Sequence, residues 1–217
     1  MELKGKIINF LGDSITEGVG TSCDDTKYIE VLKREAELAE VRNYGISGTR
    51  IAEQGIDCNG WLDERDFCRR YKTMDDNADI IVVFGGTNDF DHGDADFGTR
   101  YMTTPKTYYG AVNYLMKGLI EKYPTATIVF MTPMQRLDLE RLNSRGYSLK
   151  MYVDAIKEAG ERFSIPVLDL YGTLGICPDV PCQLKAYCPD GLHPNDFGYG
   201  AYARVLIKEL ESRGVRK

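Results

Sequence analysis

The sequence predicts an α/β fold built as a three-layer α/β/α sandwich, with a parallel β-sheet between two layers of helices. The first observation is Ile80–Phe84, an unbroken apolar run that is followed by two glycines. A strand that is apolar on both faces is covered on both faces, which is typical of a parallel sheet flanked by helices. The second observation is that segments with helical apolar spacing separate such runs, and this alternation indicates right-handed βαβ crossovers.

Five short apolar runs are predicted to form parallel strands. They are Lys6–Leu11, Glu40–Tyr44, Ile80–Phe84, Thr127–Thr132 and Pro166–Leu170. Apolar residues spaced three and four apart predict helices over Tyr28–Ala39, Lys106–Tyr123, Ser148–Phe163 and Asn195–Arg213. Pro194 is expected in the first turn of the last helix, where its missing N–H costs nothing. Because no repeat or linker interrupts the sequence, we expect a single domain over residues 1–217.

The composition is that of an ordinary globular protein, with 43% hydrophobic and 28% charged residues. A formal net charge of −6 argues against nucleic-acid binding, which needs clustered lysine and arginine. No stretch approaches the roughly 20 apolar residues of a membrane span. The apolar run at residues 7–11 is too short for a signal peptide, so a cytoplasmic protein is expected.

Six cysteines occur in the chain, and without a secretory signal we expect reduced thiols. Cys177, Cys182 and Cys188 could form a zinc site together with His193. Their gaps of four and five residues do not make the tight Cys-x2-Cys knuckle that is typical of zinc sites. The spacing therefore argues against a bound zinc ion at these residues.

Four polar segments follow predicted strands. Gly12–Thr16 follows the first strand, Asn43–Gly48 the second and Gly85–Asp89 the third, and Asp190–Pro194 comes after the fifth. In open parallel sheets, ligands bind beyond the carboxyl ends of the strands. We therefore expect the four segments to meet at one rim of the sheet.

The residue types in these segments point to acyl transfer on a serine. Ser14 is the candidate nucleophile, and it needs a base such as His193 to remove its proton. Asp190 lies three residues before His193, so that one turn could hold a carboxylate against the imidazole ring. The backbone N–H groups of Ser14 and Gly45 and the side-chain amide of Asn88 are candidate donors of an oxyanion hole.

These segments resemble those of the SGNH hydrolase superfamily, the GDSL-type esterases and lipases. The likeness lies in Gly-Asp-Ser-Ile-Thr around Ser14, a glycine after the second strand, Gly-x-Asn-Asp after the third, and Asp-x-x-His near the end. Ile15 stands where the family's usual motif has leucine. The resemblance implies a flavodoxin-like fold and the roles given above for Ser14, Gly45, Asn88, Asp190 and His193.

Other readings of the same residues exist. Ser14 to Glu17 has the pattern of a capping box, so that Ser14 could merely begin a helix. His92 is the second histidine of the chain and is interpreted as a residue of a substrate loop. The acidic loop from Asp89 to Asp96 does not fit an EF-hand, because Asp94 and Arg100 occupy the places of the required glycine and glutamate. Asp89 itself is expected to be structural.

The function expected from these observations is hydrolysis of a small carboxylic ester through an acyl-enzyme, without a cofactor. Because no segment looks like a lipase lid, short acyl groups are favoured, such as acetyl esters of carbohydrates. Lysophospholipid or thioester substrates, and transfer to an acceptor other than water, stay open. The alternative from another class is a non-catalytic flavodoxin-like module whose loop Ser14–Ser22 binds a flavin or nucleotide phosphate. That alternative leaves Asp190 and His193 without a role.

Overall fold

Five parallel strands form the middle layer of the protein, in the order β2-β1-β3-β4-β5. The computed structural model describes residues 2–55, 64–92 and 95–213. The strands are β1 Ile7–Gly12, β2 Glu40–Gly45, β3 Ile80–Phe84, β4 Thr127–Met131 and β5 Val167–Leu168. This is the flavodoxin-like strand order, and the predicted five-stranded α/β/α sandwich is confirmed. Cys58, one of the six cysteines, and Asp94, in the acidic loop, lie outside the described residues.

Helices connect the strands and cover both faces of the sheet. They are α1 Ser14–Glu17, α2 Tyr28–Glu35, α3 Phe67–Arg70, α4 Thr87–His92, α5 Tyr108–Lys122, α6 Leu149–Phe163, α7 Leu170–Thr173, α8 Pro181–Tyr187 and α9 Asp196–Ser212. Helices α3, α5 and α6 pack on one face, and α2 and α9 pack together on the other. Within the described ranges, no helix combines the length and apolar character that crossing a bilayer requires.

Strand β3 shows why the sheet is covered on both sides. Ile81 and Val83 contribute to the core under α5 and α6, whereas Ile80, Val82 and Phe84 contribute to the core under α2 and α9. All five side chains are buried. Because full burial of such a side chain stabilises a fold by about 1.5–3 kcal/mol, the unbroken apolar run fixes β3 at the centre of the sheet.

The end of the chain departs from the prediction in two places. Strand β5 is only two residues long, because the backbone turns at Asp169 and α7 begins at Leu170. Helix α9 begins after Asn195, whose side-chain oxygen accepts the N–H groups of Phe197 and Gly198. Pro194 therefore precedes the cap and is not in the first turn of the helix, so that prediction was wrong.

Candidate active site

Ser14 lies directly after β1, the strand between β2 and β3. The chain leaves β1 at Gly12, turns at Asp13 and enters the short helix α1 with Ser14 as its first residue. The turn is tight, because a Cβ atom at Gly12 would come within 2.0 Å of Thr16 Oγ1. Ser14 is 7% exposed, so that its hydroxyl is largely shielded from water.

The N-cap of α1 is Asp13 and not Ser14. The buried carboxylate of Asp13 accepts the N–H of Ile15 at 3.0 Å. The capping box that was the alternative reading of Ser14 to Glu17 does not form, because the carboxylate of Glu17 instead accepts both the N–H and the hydroxyl of Ser47. The Ser14 hydroxyl is therefore free to bond outside its own helix.

Ser14, His193 and Asp190 form one continuous chain of hydrogen bonds. The Nε2 atom of His193 lies 3.0 Å from Ser14 Oγ, and its Nδ1 atom lies 2.7 Å from Asp190 Oδ2. These separations are within hydrogen-bond reach, as a nucleophile, its base and the carboxylate that orients the base require. The three residues come together although 179 positions separate Ser14 and His193.

The other carboxylate oxygen of Asp190 holds its own turn together. Asp190 Oδ1 accepts the N–H of Leu192 at 2.8 Å and the N–H of His193 at 2.6 Å. Partial burial raises the pKa of Asp190, but the N–H of Leu192 and the ring and N–H of His193 outweigh burial and hold that pKa below its usual value. Asp190 is therefore ionised where it can stabilise a protonated imidazole.

Two contacts bring the His193 turn to the nucleophile. The loop after α1 packs against it so closely that a Cβ atom at Gly20 would lie 2.4 Å from the carbonyl oxygen of Pro194. Ser22 donates its N–H and its hydroxyl to the carboxylate of Asp196, at 2.9 and 2.6 Å. The first turn of α9 is thus tied to the loop that follows Ser14.

The side-chain amide of Asn88 comes from the first turn of α4, after β3. Its Nδ2 atom donates one hydrogen to the carbonyl oxygen of Thr49 at 2.9 Å. The second hydrogen of the same amide remains available to an oxyanion. Asn88 is 6% exposed, and its amide is therefore fixed in orientation by a buried hydrogen bond.

Gly45, the second predicted backbone donor, has its N–H engaged within the protein. This N–H donates to Asn43 Oδ1 at 2.8 Å. A Cβ atom at Gly45 would also lie 2.2 Å from the backbone nitrogen of Glu17, so that the glycine serves the contact between β2 and α1. The structure therefore gives Gly45 a packing role and contradicts its assignment as a free donor.

Gly48, three residues later, is the better candidate for a free backbone donor. It lies in a turn closed by the bond from Thr49 N–H to the carbonyl of Ile46, and its φ of 75° is the left-handed region that favours glycine. In the described part of the chain, its N–H has no hydrogen-bond acceptor, and no atom would contact a Cβ there. Because Asn88 binds the carbonyl of Thr49, the Gly48 turn lies beside that amide. The sequence signal for this turn is the pair Ser47-Gly48, which the assignment to Gly45 did not use.

Asp89 has the structural role that was expected of it. Its two carboxylate oxygens accept the N–H groups of Ile51 and Ala52 at 3.0 and 2.9 Å. Burial raises the pKa of Asp89 to about 6, although these two N–H groups oppose the rise. The carboxylate thereby fixes the chain that follows the Gly48 turn to helix α4.

The remaining predicted site residues take no part in the hydrogen bonds that join Ser14, His193 and Asp190. His92 is exposed at the end of α4, and its role in a substrate loop stays a prediction. Cys177, Cys182 and Cys188 are free thiols. Among residues 2–55, 64–92 and 95–213, no group of three or more His, Cys, Asp or Glu side chains could hold a metal ion.

The protein is thus a three-layer α/β/α sandwich in which a serine, a histidine and an aspartate are joined by hydrogen bonds beyond the ends of the strands. The sequence profile of the GDSL-like lipase/acylhydrolase family matches residues 10–201. The chain belongs to this family, and membership supports a hydrolase that acts on esters. None of the curated proteins compared with the chain matches it.

Solved structures resemble the chain over almost its whole length. One is 34% identical, with a TM-score of 0.87 over 98% of this chain and 99% of the other. A crystallised protein from Lactobacillus plantarum is 30% identical, with a TM-score of 0.86 over 97% and 99% of the two chains. A possible lipase from Chitinophaga pinensis, 23% identical with a TM-score of 0.73 over 95% and 98%, shares the fold.

Proposed function

We propose that the protein is a serine esterase that hydrolyses a small carboxylic ester through an acyl-enzyme on Ser14. The single observation that carries the proposal is the hydrogen-bonded chain from Ser14 Oγ through His193 to the Asp190 carboxylate. Family membership supports the same class of reaction. The alternative, a flavin- or nucleotide-binding module, does not need those hydrogen bonds.

In the proposed reaction, Ser14 Oγ attacks the ester carbonyl carbon while His193 Nε2 takes the hydroxyl proton. The carbonyl oxygen becomes an oxyanion, which the Ser14 N–H, the Gly48 N–H and the Asn88 amide stabilise. The C–O bond to the alcohol then breaks, and the alcohol leaves with the proton from His193. Water repeats the sequence on the acyl-enzyme and releases the acid, so that neither metal nor cofactor is needed.

We further propose a short acyl group, with acetylated carbohydrates as the first substrates to test. A crystal structure of an acetyl xylan esterase, 18% identical with a TM-score of 0.63, shares the fold, and this likeness reports fold alone. No segment of the sequence has the pattern of a lipase lid, which favours short acyl groups. Acyl esters of increasing length, acetylated sugars, a lysophospholipid and a thioester form the panel that separates these substrate classes, and an added alcohol acceptor tests for acyl transfer.

The experiment that tests the proposal is hydrolysis of p-nitrophenyl acetate by the wild type and by Ser14→Ala. We expect kcat to fall about 10⁴-fold or more, since the residual rate comes only from binding and the oxyanion hole. Ser212→Ala is the matched control, because Ser212 lies at the far end of α9, roughly 25 Å along the helix from its first residue. Equal hydrolysis by the wild type and Ser14→Ala would contradict the proposal.

A further inference from the structure

Arg70 is the last residue of α3 and contacts two of the segments that carry the candidate oxyanion hole. Its Nη2 atom donates to the carbonyl oxygen of Gly12 at 3.0 Å and to Thr49 Oγ1 at 2.8 Å. Its Nη1 atom donates to the carbonyl oxygen of Tyr44. One guanidinium therefore joins the end of β1, the end of β2 and the turn that carries Gly48.

Each of these contacts lies close in the chain to a proposed donor. Gly12 is two residues before Ser14, whose N–H begins α1. Thr49 follows Gly48 directly, and its carbonyl oxygen accepts the Asn88 amide. Arg70 thus contacts the carbonyl of Gly12 and the hydroxyl of Thr49, which lie next to the segments that carry the three donors.

Other hydrogen bonds also hold the Gly48 turn, among them those of the Thr49 N–H to Ile46 and of the Asn88 amide to Thr49. Ile46 donates its N–H to the carbonyl of Gly12 at 3.2 Å, and Ser47 donates to Glu17. Thr49 Oγ1 donates to the carbonyl of Ile46 at 2.7 Å while it accepts from Arg70. The hydroxyl of Thr49 is therefore the side-chain link between Arg70 and the turn, and the carbonyl of Gly12 is a second link through the N–H of Ile46.

The guanidinium itself is fixed from two more sides. Its Nε atom donates to the carbonyl oxygen of Arg65 at 2.6 Å, and its carbon lies 4.9 Å from the centre of the Phe67 ring. Planar donors that point in several directions suit a guanidinium and cannot all be reproduced by an ammonium group. A lysine at this place would retain the charge and lose part of the geometry.

We infer that Arg70 is a positioning residue, which holds the Gly48 turn and the start of α1 in the relative placement that an oxyanion requires. The inference rests on the proposed function, because it assigns Arg70 to the same site. Donors misplaced by about 1 Å stabilise an oxyanion poorly, and such displacements can reduce rates about 100-fold. Ground-state substrate does not need that placement, so kcat should respond more than KM.

The test is steady-state hydrolysis of p-nitrophenyl acetate by Arg70→Ala, Arg70→Lys and Arg69→Ala. For Arg70→Ala we expect kcat to fall about 10- to 100-fold with KM changed less than about threefold, and for Arg70→Lys a smaller loss. Arg69→Ala is the control, because Arg69 lies on the same helix and pairs with Asp66 and Glu53 instead of with Gly12 or Thr49. If Arg69→Ala loses as much kcat as Arg70→Ala, or Arg70→Ala loses none, the inference is wrong.

A second pair of variants tests the link without removing a charge. Thr49→Val loses the hydroxyl that accepts from Arg70, whereas Thr49→Ser keeps it. We expect a kcat loss in Thr49→Val only, and a smaller effect of Arg70→Ala in the Thr49→Val background than in the wild type. This pair decides the question even if Arg70→Ala does not fold, and equal kcat in both Thr49 variants overturns the inference.

The outcomes also separate this inference from the proposed function. A wild type without Ser14-dependent hydrolysis contradicts the proposed function, and the inference falls with it. An active wild type whose kcat is unchanged by the Arg70 and Thr49 substitutions contradicts only the role of Arg70.

Discussion

Asp190 binds His193 through both of its carboxylate oxygens. Oδ2 lies 2.7 Å from the ring Nδ1, and Oδ1 accepts the backbone N–H of the same histidine at 2.6 Å. The carboxylate therefore fixes the backbone and the ring of His193 at once. Because an ionised carboxylate only accepts hydrogen bonds, Nδ1 must carry the proton, and Nε2 is left free to accept the proton of Ser14.

Asp190→Asn should reverse this tautomer. The new amide can keep its oxygen on the two backbone N–H groups, but its NH2 group then faces Nδ1 and places the ring proton on Nε2, where it blocks the base. We expect kcat to fall about 10³- to 10⁴-fold. Nitrogen NMR of the imidazole measures the tautomer directly, and Asp154→Asn on the exposed face of α6 is the control. A variant that keeps Nδ1–H and a tenth of the wild-type kcat would refute this reading.

Asn88→Ala should reduce kcat about 10²- to 10³-fold, because one oxyanion donor is lost. Asn88→Asp should lose at least as much, since a carboxylate offers no N–H and repels the oxyanion. KM should change little for Asn88→Ala. Asn143→Ala is the control, because this buried amide bonds Phe90 and Tyr152 and serves the core, so its loss should lower Tm more than kcat. Unchanged kcat in Asn88→Ala would remove the amide from the oxyanion hole.

The sequence predicted those features that depend on residues close together in the chain. The unbroken apolar composition of Ile80–Phe84 is enough to predict a strand that is buried on both faces. The Asp-x-x-His spacing placed Asp190 and His193 in one turn, and the structure brings them within hydrogen-bond distance. Both features are local, so that periodicity and spacing suffice to find them.

Which backbone N–H is free and which arginine reaches the site could not be predicted, because both depend on how distant segments pack together. Whether the N–H of Gly45 or of Gly48 is free depends on where the Asn43 side chain turns and on how closely β2 approaches α1. Arg69 and Arg70 are adjacent arginines that the sequence does not distinguish. Of the two, only Arg70 donates to the carbonyls at the ends of β1 and β2. Such assignments need the packed structure.

The choice between Gly48 and Gly45 can be tested with a tetrahedral adduct. A phosphonate ester bound to Ser14 should place its oxygen about 2.7–3.1 Å from the nitrogens of Ser14 and Gly48 and from Asn88 Nδ2. The N–H of Gly45 should stay on Asn43. A crystal structure of the adduct measures these distances. An adduct oxygen bound by Gly45, with Gly48 turned away, would restore the assignment made from the sequence.

Asp13 should make the protein less stable as the pH rises towards neutrality. Burial raises the pKa of its carboxyl from 3.8 to about 7, with the N–H of Ile15 opposing the rise and nearby Asp89 adding to it. The stability contributed by this raised pKa is fully present below about pH 4 and is lost as the pH rises through about 7, because the folded protein retains a proton that the unfolded chain has released. Asp13→Asn removes the titration and keeps an oxygen for the N–H of Ile15.

We therefore expect the free energy of unfolding of Asp13→Asn to vary less between pH 4.5 and 7.5 than that of the wild type. The difference between the two slopes should amount to about 1 to 4 kcal/mol over this range, since each pKa unit is worth about 1.4 kcal/mol. Urea unfolding at several pH values measures it. Asp25→Asn, at an exposed carboxylate, is the control and should leave the slope unchanged. Parallel curves for the wild type and Asp13→Asn would mean that the Asp13 carboxyl titrates alike in the folded and unfolded chains.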